Sequence, residues 1–314
     1  MDFMKIKEKL VGPAVSIATP MKDNFEIDFE GLEYNVNFLI RGGFVNGKGI
    51  IMAVAAAGEA PSLTFEERKE AMKTVAEVAR GKVPLVTSAQ DPSLDNVIRL
   101  AKYAGEVGYD AVQISPPFYF PVNSEVVFNF FDRISKETDV GIMVYNTPWV
   151  NRGYNIDLDL MEKLVKIENI VSFKWRNDNE VTYLEAIKRF SSKVSFMANT
   201  LDPISAYMLG ARMYLAIPAN FAPKYSLHIH ELLIKERYTE ALEELFKLHI
   251  PYYRWINEVT REGVLGEGAI IKAPMKMVGL PSGPARPPYN FQLNDVQSKR
   301  LRDILLSAGL KLVD

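Results

Sequence analysis

The chain has 314 residues, 48% hydrophobic and 24% charged, which is too apolar for a disordered protein and ordinary for a globular one. Its 37 basic and 39 acidic side chains leave a formal charge of -2, so no electrostatic pull toward nucleic acid or an anionic membrane is expected. The absence of cysteine excludes disulfides, thiolate nucleophiles and cysteine-held metal clusters.

The first residues, MDFMKIKEKL, lack the apolar core of a signal peptide, and no stretch is long and apolar enough for a membrane span. A cytoplasmic protein is expected. Eight short apolar runs follow in order: Ala14–Thr19, Gly49–Ala55, Val83–Ser88, Asp110–Ser115, Val140–Asn146, Ile170–Trp175, Val194–Asn199 and Met213–Pro218. Each is bounded by turn-forming residues and rich in β-branched or aromatic ones, the signature of strands. Between them lie helical patterns. Glu66–Arg80 has apolar residues at 71, 72, 75, 76 and 79, with Thr64 and Glu67 spaced as a capping box. Leu94–Val107, Ser124–Glu137 and Leu158–Ile167 repeat the pattern. Alternating strands and helices imply a parallel sheet, and eight units predict closure into a (β/α)8 barrel, an α/β fold of the TIM type. The alternative, an open doubly wound sheet, finds no GxGxxG turn to support it.

Beyond residue 222 the rhythm changes. Tyr225–Lys235, Thr239–Arg261 and Gln297–Ala308 read as helices, and Pro281–Asn290 as an extended connector. The expected division is a barrel over residues 1–222, then the last barrel helix and a C-terminal helical extension over 223–314. The three histidines are His228, His230 and His249. The first two would sit on different faces of one helix, so no metal site is expected.

In parallel barrels the reactive side chains stand at the C-terminal ends of the strands. The sixth run, Ile170-Val-Ser-Phe-Lys-Trp-Arg176, is the most informative. Strict alternation puts Val171, Phe173 and Trp175 on the outer face and Ser172, Lys174 and Arg176 on the inner one. Lys174 would then enter the barrel mouth, where lost hydration and a nearby Arg176 favour the neutral, nucleophilic amine. The plainer alternative is a strand-terminal lysine paired with a carboxylate. Tyr145 ends the fifth run, on the neighbouring strand, where a phenol can move protons; such a tyrosine equally serves packing. The turn Ala55-Ala-Ala-Gly58-Glu59 exposes backbone N–H groups that can cradle a carboxylate, or is simply a tight turn.

These pieces together resemble the dihydrodipicolinate synthase / N-acetylneuraminate lyase superfamily, barrel enzymes that join pyruvate to a lysine as a Schiff base. The resemblance runs through Pro13–Pro20 (PAVSIATP), Ala57-Gly-Glu59, Ser115–Pro121 (SPPFYFP), Tyr145–Pro148 (YNTP), Phe173-Lys174, Leu209-Gly-Ala211 and Lys272–Pro288. It implies that Lys174 is the Schiff-base lysine and Tyr145 the proton-relay tyrosine. It implies that Ala56 and Ala57 offer N–H groups to the pyruvate carboxylate. It also places Tyr119 as the aromatic residue that reaches toward a neighbouring subunit, in a homotetramer or homodimer. The chain departs from the family where Gly-Thr-Thr-Gly-Glu or Gly-Ser-Thr-Gly-Glu becomes Ala-Ala-Ala-Gly-Glu, which removes a relay hydroxyl. Arg152 lies two positions later than the synthase arginine, and Lys174 is followed by Trp-Arg-Asn-Asp178.

The expected activity is that of a Schiff-base lyase, an aldolase or dehydratase acting on a 2-keto acid such as a 2-keto-3-deoxy sugar acid. Arg176 and Arg152 would bind its distal carboxylate or polyol. The alternatives are a dihydrodipicolinate synthase condensing pyruvate with aspartate semialdehyde, and a non-catalytic homologue that binds keto acids. No metal or organic cofactor is expected, since the lysine itself provides the electron sink.

Overall fold

A computed structural model of the chain describes residues 2–313. Eight parallel strands close into a barrel in sequence order: β1 (Gly12–Ser16), β2 (Ile50–Ala53), β3 (Leu85–Ser88), β4 (Ala111–Ile114), β5 (Gly141–Tyr145), β6 (Ile170–Trp175), β7 (Ser195–Ala198) and β8 (Met213–Leu215). The helices are α1 (Phe3–Lys9), α2 (Phe29–Arg41), α3 (Phe65–Ala79), α4 (Leu94–Val107), α5 (Ser124–Glu137), α6 (Leu158–Leu164), α7 (Glu180–Phe190), α8 (Ile204–Met208), α9 (Pro223–Ile234), α10 (Tyr238–Lys247), α11 (His249–Arg261), α12 (Glu267–Met277) and α13 (Asp295–Ser307).

The barrel is filled, as its short apolar strands require. Ala14, Ile50, Met52, Val86, Ala111, Met143, Val171, Met197 and Met213 meet inside it. Helix α1 and its cap residue bring Ile6 and Leu10 onto this cluster. Ser195 Oγ, at the start of β7, donates to Lys7 O (2.7 Å), so α1 closes the N-terminal end of the barrel and leaves the other end for chemistry.

Strict alternation fails at one point, and the failure positions Lys174. Ile142 pairs with Ile170 but Met143 pairs with Ser172, so the β5–β6 register shifts between them. Val171 is the extra residue, and a bulge turns it inward, against the expectation that it faces the helices. Phe173 and Trp175 remain outside; Trp175 Nε1 donates to Tyr183 O on α7 (3.1 Å). Beyond the bulge Tyr145 and Lys174 are register partners.

The predicted capping box forms: Glu67 N donates to Thr64 Oγ1 (3.2 Å) and Thr64 N to Glu67 Oε2 (2.8 Å). Glu67 Oε2 also accepts from Arg286 Nη1 (2.8 Å), and that guanidinium holds the carboxyl down at about 2. The stretch expected as a single helix over Thr239–Arg261 is two. Pro251 has no N–H to continue α10, and it sits in the first turn of α11, where none is required. The Tyr225 hydroxyl bridges the break, donating to Glu244 O (2.7 Å) and accepting from His249 N (3.0 Å).

The C-terminal helices pack Tyr252, Trp255, Val259, Ile271, Met275, Leu301 and Leu305 into a second core. That core includes Ala18, Ala57 and Ile217, from the loops beyond β1, β2 and β8, so the extension roofs this part of the rim.

Candidate active site

Lys174 is 5% exposed, and none of the ion pairs among the described residues includes its amine. Its Nζ stands 4.1 Å from the centre of the Tyr145 ring. Burial pulls the lysine down to about 8, partly opposed by the carboxylate of Glu267. A substantial fraction of neutral amine therefore exists at mildly alkaline pH. Burial pushes the Tyr145 phenol well above its ordinary value, and Glu267 adds to the effect. The phenol is thus a neutral donor across the physiological range. Asn199 Nδ2, one residue past β7, donates to the Tyr145 oxygen (3.4 Å), which leaves the phenolic hydrogen free.

The loop after β5 is fastened by its own polar side chains. Asn146 Nδ2 donates to Arg176 O (2.6 Å) and Asn155 Oδ1 (3.1 Å), while Asn146 Oδ1 accepts from Ile156 N (3.0 Å). Thr147 Oγ1 bonds Asn151 Oδ1, and Asn151 Nδ2 reaches Pro116 O (2.7 Å) and Pro117 O (3.1 Å). The YNTP and SPP motifs are therefore one braced unit that fixes the tyrosine against the lysine.

The same loop presents Trp149, whose ring meets the Tyr145 ring edge-on at 5.9 Å and carries the Arg176 guanidinium at 5.6 Å. Lysine, tyrosine, tryptophan and arginine thus form one continuous wall, with Arg176 exposed at its outer end. Arg152 does not join them. It is exposed, at φ +55° in the left-handed region, and none of the ion pairs among the described residues includes it. Tyr119 stands 70% exposed, its ring against that of Phe120 at 5.0 Å, outside the lysine–tyrosine contact.

At the end of β2 the chain makes a strained turn. Val54 (φ +51°) and Glu59 (φ +58°) both adopt the left-handed region, a conformation that costs a β-branched residue about 1–3 kcal/mol and concentrates at functional sites. Gly58 packs tightly there: a Cβ would approach Ile17 O at 3.1 Å and Thr19 Oγ1 at 3.2 Å. Glu59 N and Ala60 N close the turn onto Ala56 O and Ala55 O, while the N–H groups of Ala56 and Ala57 have no acceptor among the described residues. Ala56 is exposed at the mouth, and the Ala57 methyl is buried in the extension's core.

Glu59 forms a buried ion pair with Lys272 of α12, and its Oε2 accepts from Arg286 N (2.6 Å). Arg286 also donates to Phe25 O, Ser62 O and Glu67. These bonds clamp the C-terminal connector onto the rim. Sequence reasoning missed Asn199, Trp149 and Glu267. Asn199 closes a predicted strand and carried the same positional signal as Lys174. Trp149 directly follows the Tyr145–Pro148 motif. Glu267 comes from the extension, beyond any strand-end rule.

The dihydrodipicolinate synthetase family model matches residues 9–307. A protein of Methanocaldococcus jannaschii named 4-hydroxy-tetrahydrodipicolinate synthase is 29% identical over 302 residues, covering 94% of this chain and 97% of that one. A protein of Thermococcus kodakarensis called an uncharacterized DapA-like lyase is 29% identical over 309 residues, covering 94% and 98%. A solved dihydrodipicolinate synthase superposes with a TM-score of 0.85 at 27% identity, over 96% of this chain and 100% of that one. With a family match over nearly its whole length, the chain belongs to the dihydrodipicolinate synthetase family, enzymes of the class I aldolase type.

Proposed function

We propose that the protein is a Schiff-base lyase for a 2-keto acid of the 2-keto-3-deoxy sugar acid kind, with Lys174 as nucleophile. The observation that carries this reading is the buried Lys174 amine, drawn down to about 8 and set 4.1 Å from the ring of Tyr145. The amine adds to the C2 carbonyl and water leaves, which gives an iminium. The iminium withdraws electrons from C3. In the aldolase path the C4 hydroxyl proton passes to the Tyr145 oxygen as the phenol releases its own proton to water, the C3–C4 bond breaks, and an aldehyde and an enamine of pyruvate result. In the dehydratase path C3 loses a proton to water, the C4 hydroxyl leaves as water with a proton from Tyr145, and solvent returns a proton to the phenolate. The N–H groups of Ala56 and Ala57 receive the C1 carboxylate, and Arg176, held on Trp149, takes the distal polar end. Arg152 stands as a secondary distal contact, outside the wall that carries Arg176.

Condensation of pyruvate with aspartate semialdehyde is the second reading, favoured by the names of relatives such as the Methanocaldococcus jannaschii protein. Against it stands the Ala55–Ala57 turn: Tyr145 meets an amide, Asn199, and no turn hydroxyl. We infer a homo-oligomer, tetramer or dimer, with the exposed Tyr119 and Phe120 at a subunit contact. Among the described residues no helix is long and apolar enough to cross a membrane, and we place the enzyme in the cytoplasm. A panel of 2-keto-3-deoxy acids tests the reading: pyruvate or a dehydrated keto acid is expected from at least one. Turnover confined to pyruvate plus aspartate semialdehyde would establish the second reading instead.

A further inference from the structure

Four polar side chains form a hydrogen-bonded chain on the two strands that precede Tyr145. Ala111 lies inside the barrel, so alternation along β4 turns Gln113 inward as well, beside its register partner Met143, another interior residue. Ser88 of β3 is the register partner of Gln113 on the other side. The Gln113 amide rises toward the open end of the barrel: its Nε2 donates to Gln90 Oε1 (3.3 Å), and Gln90 lies two residues beyond the end of β3. Gln90 Nε2 in turn donates to Ser115 Oγ (2.7 Å). Ser115 follows β4 directly and stands level with Tyr145, since Ile114 pairs with Val144.

The direction of each bond in this chain is fixed at its ends. Ser115 gives its hydrogen to Pro116 O (3.3 Å), a carbonyl that only accepts, so its oxygen must accept from the Gln90 amide nitrogen. Ser88 Oγ accepts from Gln90 N (3.4 Å) and gives its own hydrogen to Gln90 Oε1 (3.2 Å). Gln113 must therefore turn its nitrogen toward Gln90 Oε1. That leaves Gln113 Oε1 as a buried acceptor with no donor among the described residues. Native proteins seldom leave such an atom unpaired, because nothing replaces its lost hydration.

Gln113 is 1% exposed and Lys174 is 5% exposed, so a molecule that reaches the amine has also reached the depth of this oxygen. Lys174, Tyr145 and Gln113 occupy successive strands, β6, β5 and β4, about 4.8 Å apart. A substrate joined to Lys174 at C2, with its C4 hydroxyl at Tyr145, continues toward Gln113.

We propose that Gln113 Oε1 accepts a hydrogen bond from the C5 hydroxyl of the substrate and so selects 2-keto-3-deoxy acids with hydroxyls at both C4 and C5, a role that rests on the Schiff-base reading above. The amide touches none of the reacting atoms. Its oxygen asks for a donor: a C5 methyl offers none, and a C5 carboxylate offers only further lone pairs.

The test compares kcat/KM of the full-length protein for racemic 4,5-dihydroxy-2-oxopentanoate and racemic 4-hydroxy-2-oxopentanoate, which differ only in the C5 hydroxyl. Borohydride trapping of pyruvate, which has neither hydroxyl, reports separately on the Schiff base. The native protein is expected to prefer the diol by about 10²-fold. In Gln113→Met, close in size and without a carbonyl, the loss falls on the diol and the preference is expected to drop to less than about tenfold. If Gln113→Met does not fold by its melting curve, Gln113→Asn, which withdraws the amide by one methylene, decides on the same ratio. A native protein that does not distinguish the two acids, or a preference undiminished in the variant, overturns the proposal and leaves the Schiff-base reading intact; Gln113 then serves a resident water only. Trapping of pyruvate without turnover of either acid removes the sugar-acid reading and this proposal with it. Failure to trap any 2-keto acid removes the Schiff base as well.

Discussion

Tyr145 and Lys174 are register partners across β5 and β6, and the Lys174 amine stands 4.1 Å from the Tyr145 ring centre. The register shift between Ile142 and Met143 sets this pairing: without it the strands would meet one residue out of step. Nucleophile and proton donor are thus placed by backbone geometry before any substrate arrives.

Tyr145→Phe keeps the ring and removes only the hydroxyl. The pyruvate adduct is expected to form, while turnover falls about 10²-fold. Steady-state kinetics beside borohydride trapping measure the two separately. Normal turnover in the variant would show that the phenol moves no proton in the reaction.

Lys174 affects stability with a definite sign. Its folded-state value is about 8 against an ordinary 10.5, so between those values the unfolded chain binds more protons. Stability is expected to rise with pH across that window, and the penalty is fully present below it. Lys174→Met removes the penalty and is expected to stabilise the protein by roughly 3 kcal/mol at pH 7. Urea denaturation at pH 7 and pH 10 checks this; a variant no more stable than the native chain at pH 7 contradicts it.

The Glu59–Lys272 pair is buried on both sides, at 5% and 3% exposure. Lys272→Met leaves the Glu59 carboxylate with Arg286 N as its remaining partner and is expected to cost about 3–5 kcal/mol. Adding Glu59→Gln should recover part of the loss. Chemical denaturation of the single and double variants measures both, and additive losses would mean the two groups do not act as a pair.

Arg176 and Arg152 are separated by their surroundings. Arg176→Ala is expected to raise KM for the keto acid about tenfold or more while leaving adduct formation with pyruvate unchanged. Arg152→Ala is expected to change KM less than threefold, roughly the effect of a weak, exposed contact. Equal effects from the two would remove Trp149 as the organising platform.

The barrel was legible in the sequence because its strands are short apolar runs between turn residues, a pattern that survives without knowledge of pairing. Lys174 and Tyr145 were legible because strand ends are where such barrels keep reactive groups. Val171 was misplaced because a bulge is a property of two strands together, and β6 alone carries no sign of it. Glu267 was invisible for a related reason. Its place depends on Gly268 lying against Glu59, more than two hundred residues earlier in the chain. The break at Leu248 was missed for no such reason: Thr239–Arg261 reads as one helix only if the sign carried by Pro251 is passed over.

The most direct test of the whole account is mass spectrometry of the intact protein after pyruvate and borohydride. A single reduced pyruvate adduct, mapped to the peptide holding Lys174 and absent in Lys174→Ala, is the predicted result. No adduct with pyruvate or any of the 2-keto acids, or an adduct that persists in Lys174→Ala, would contradict it.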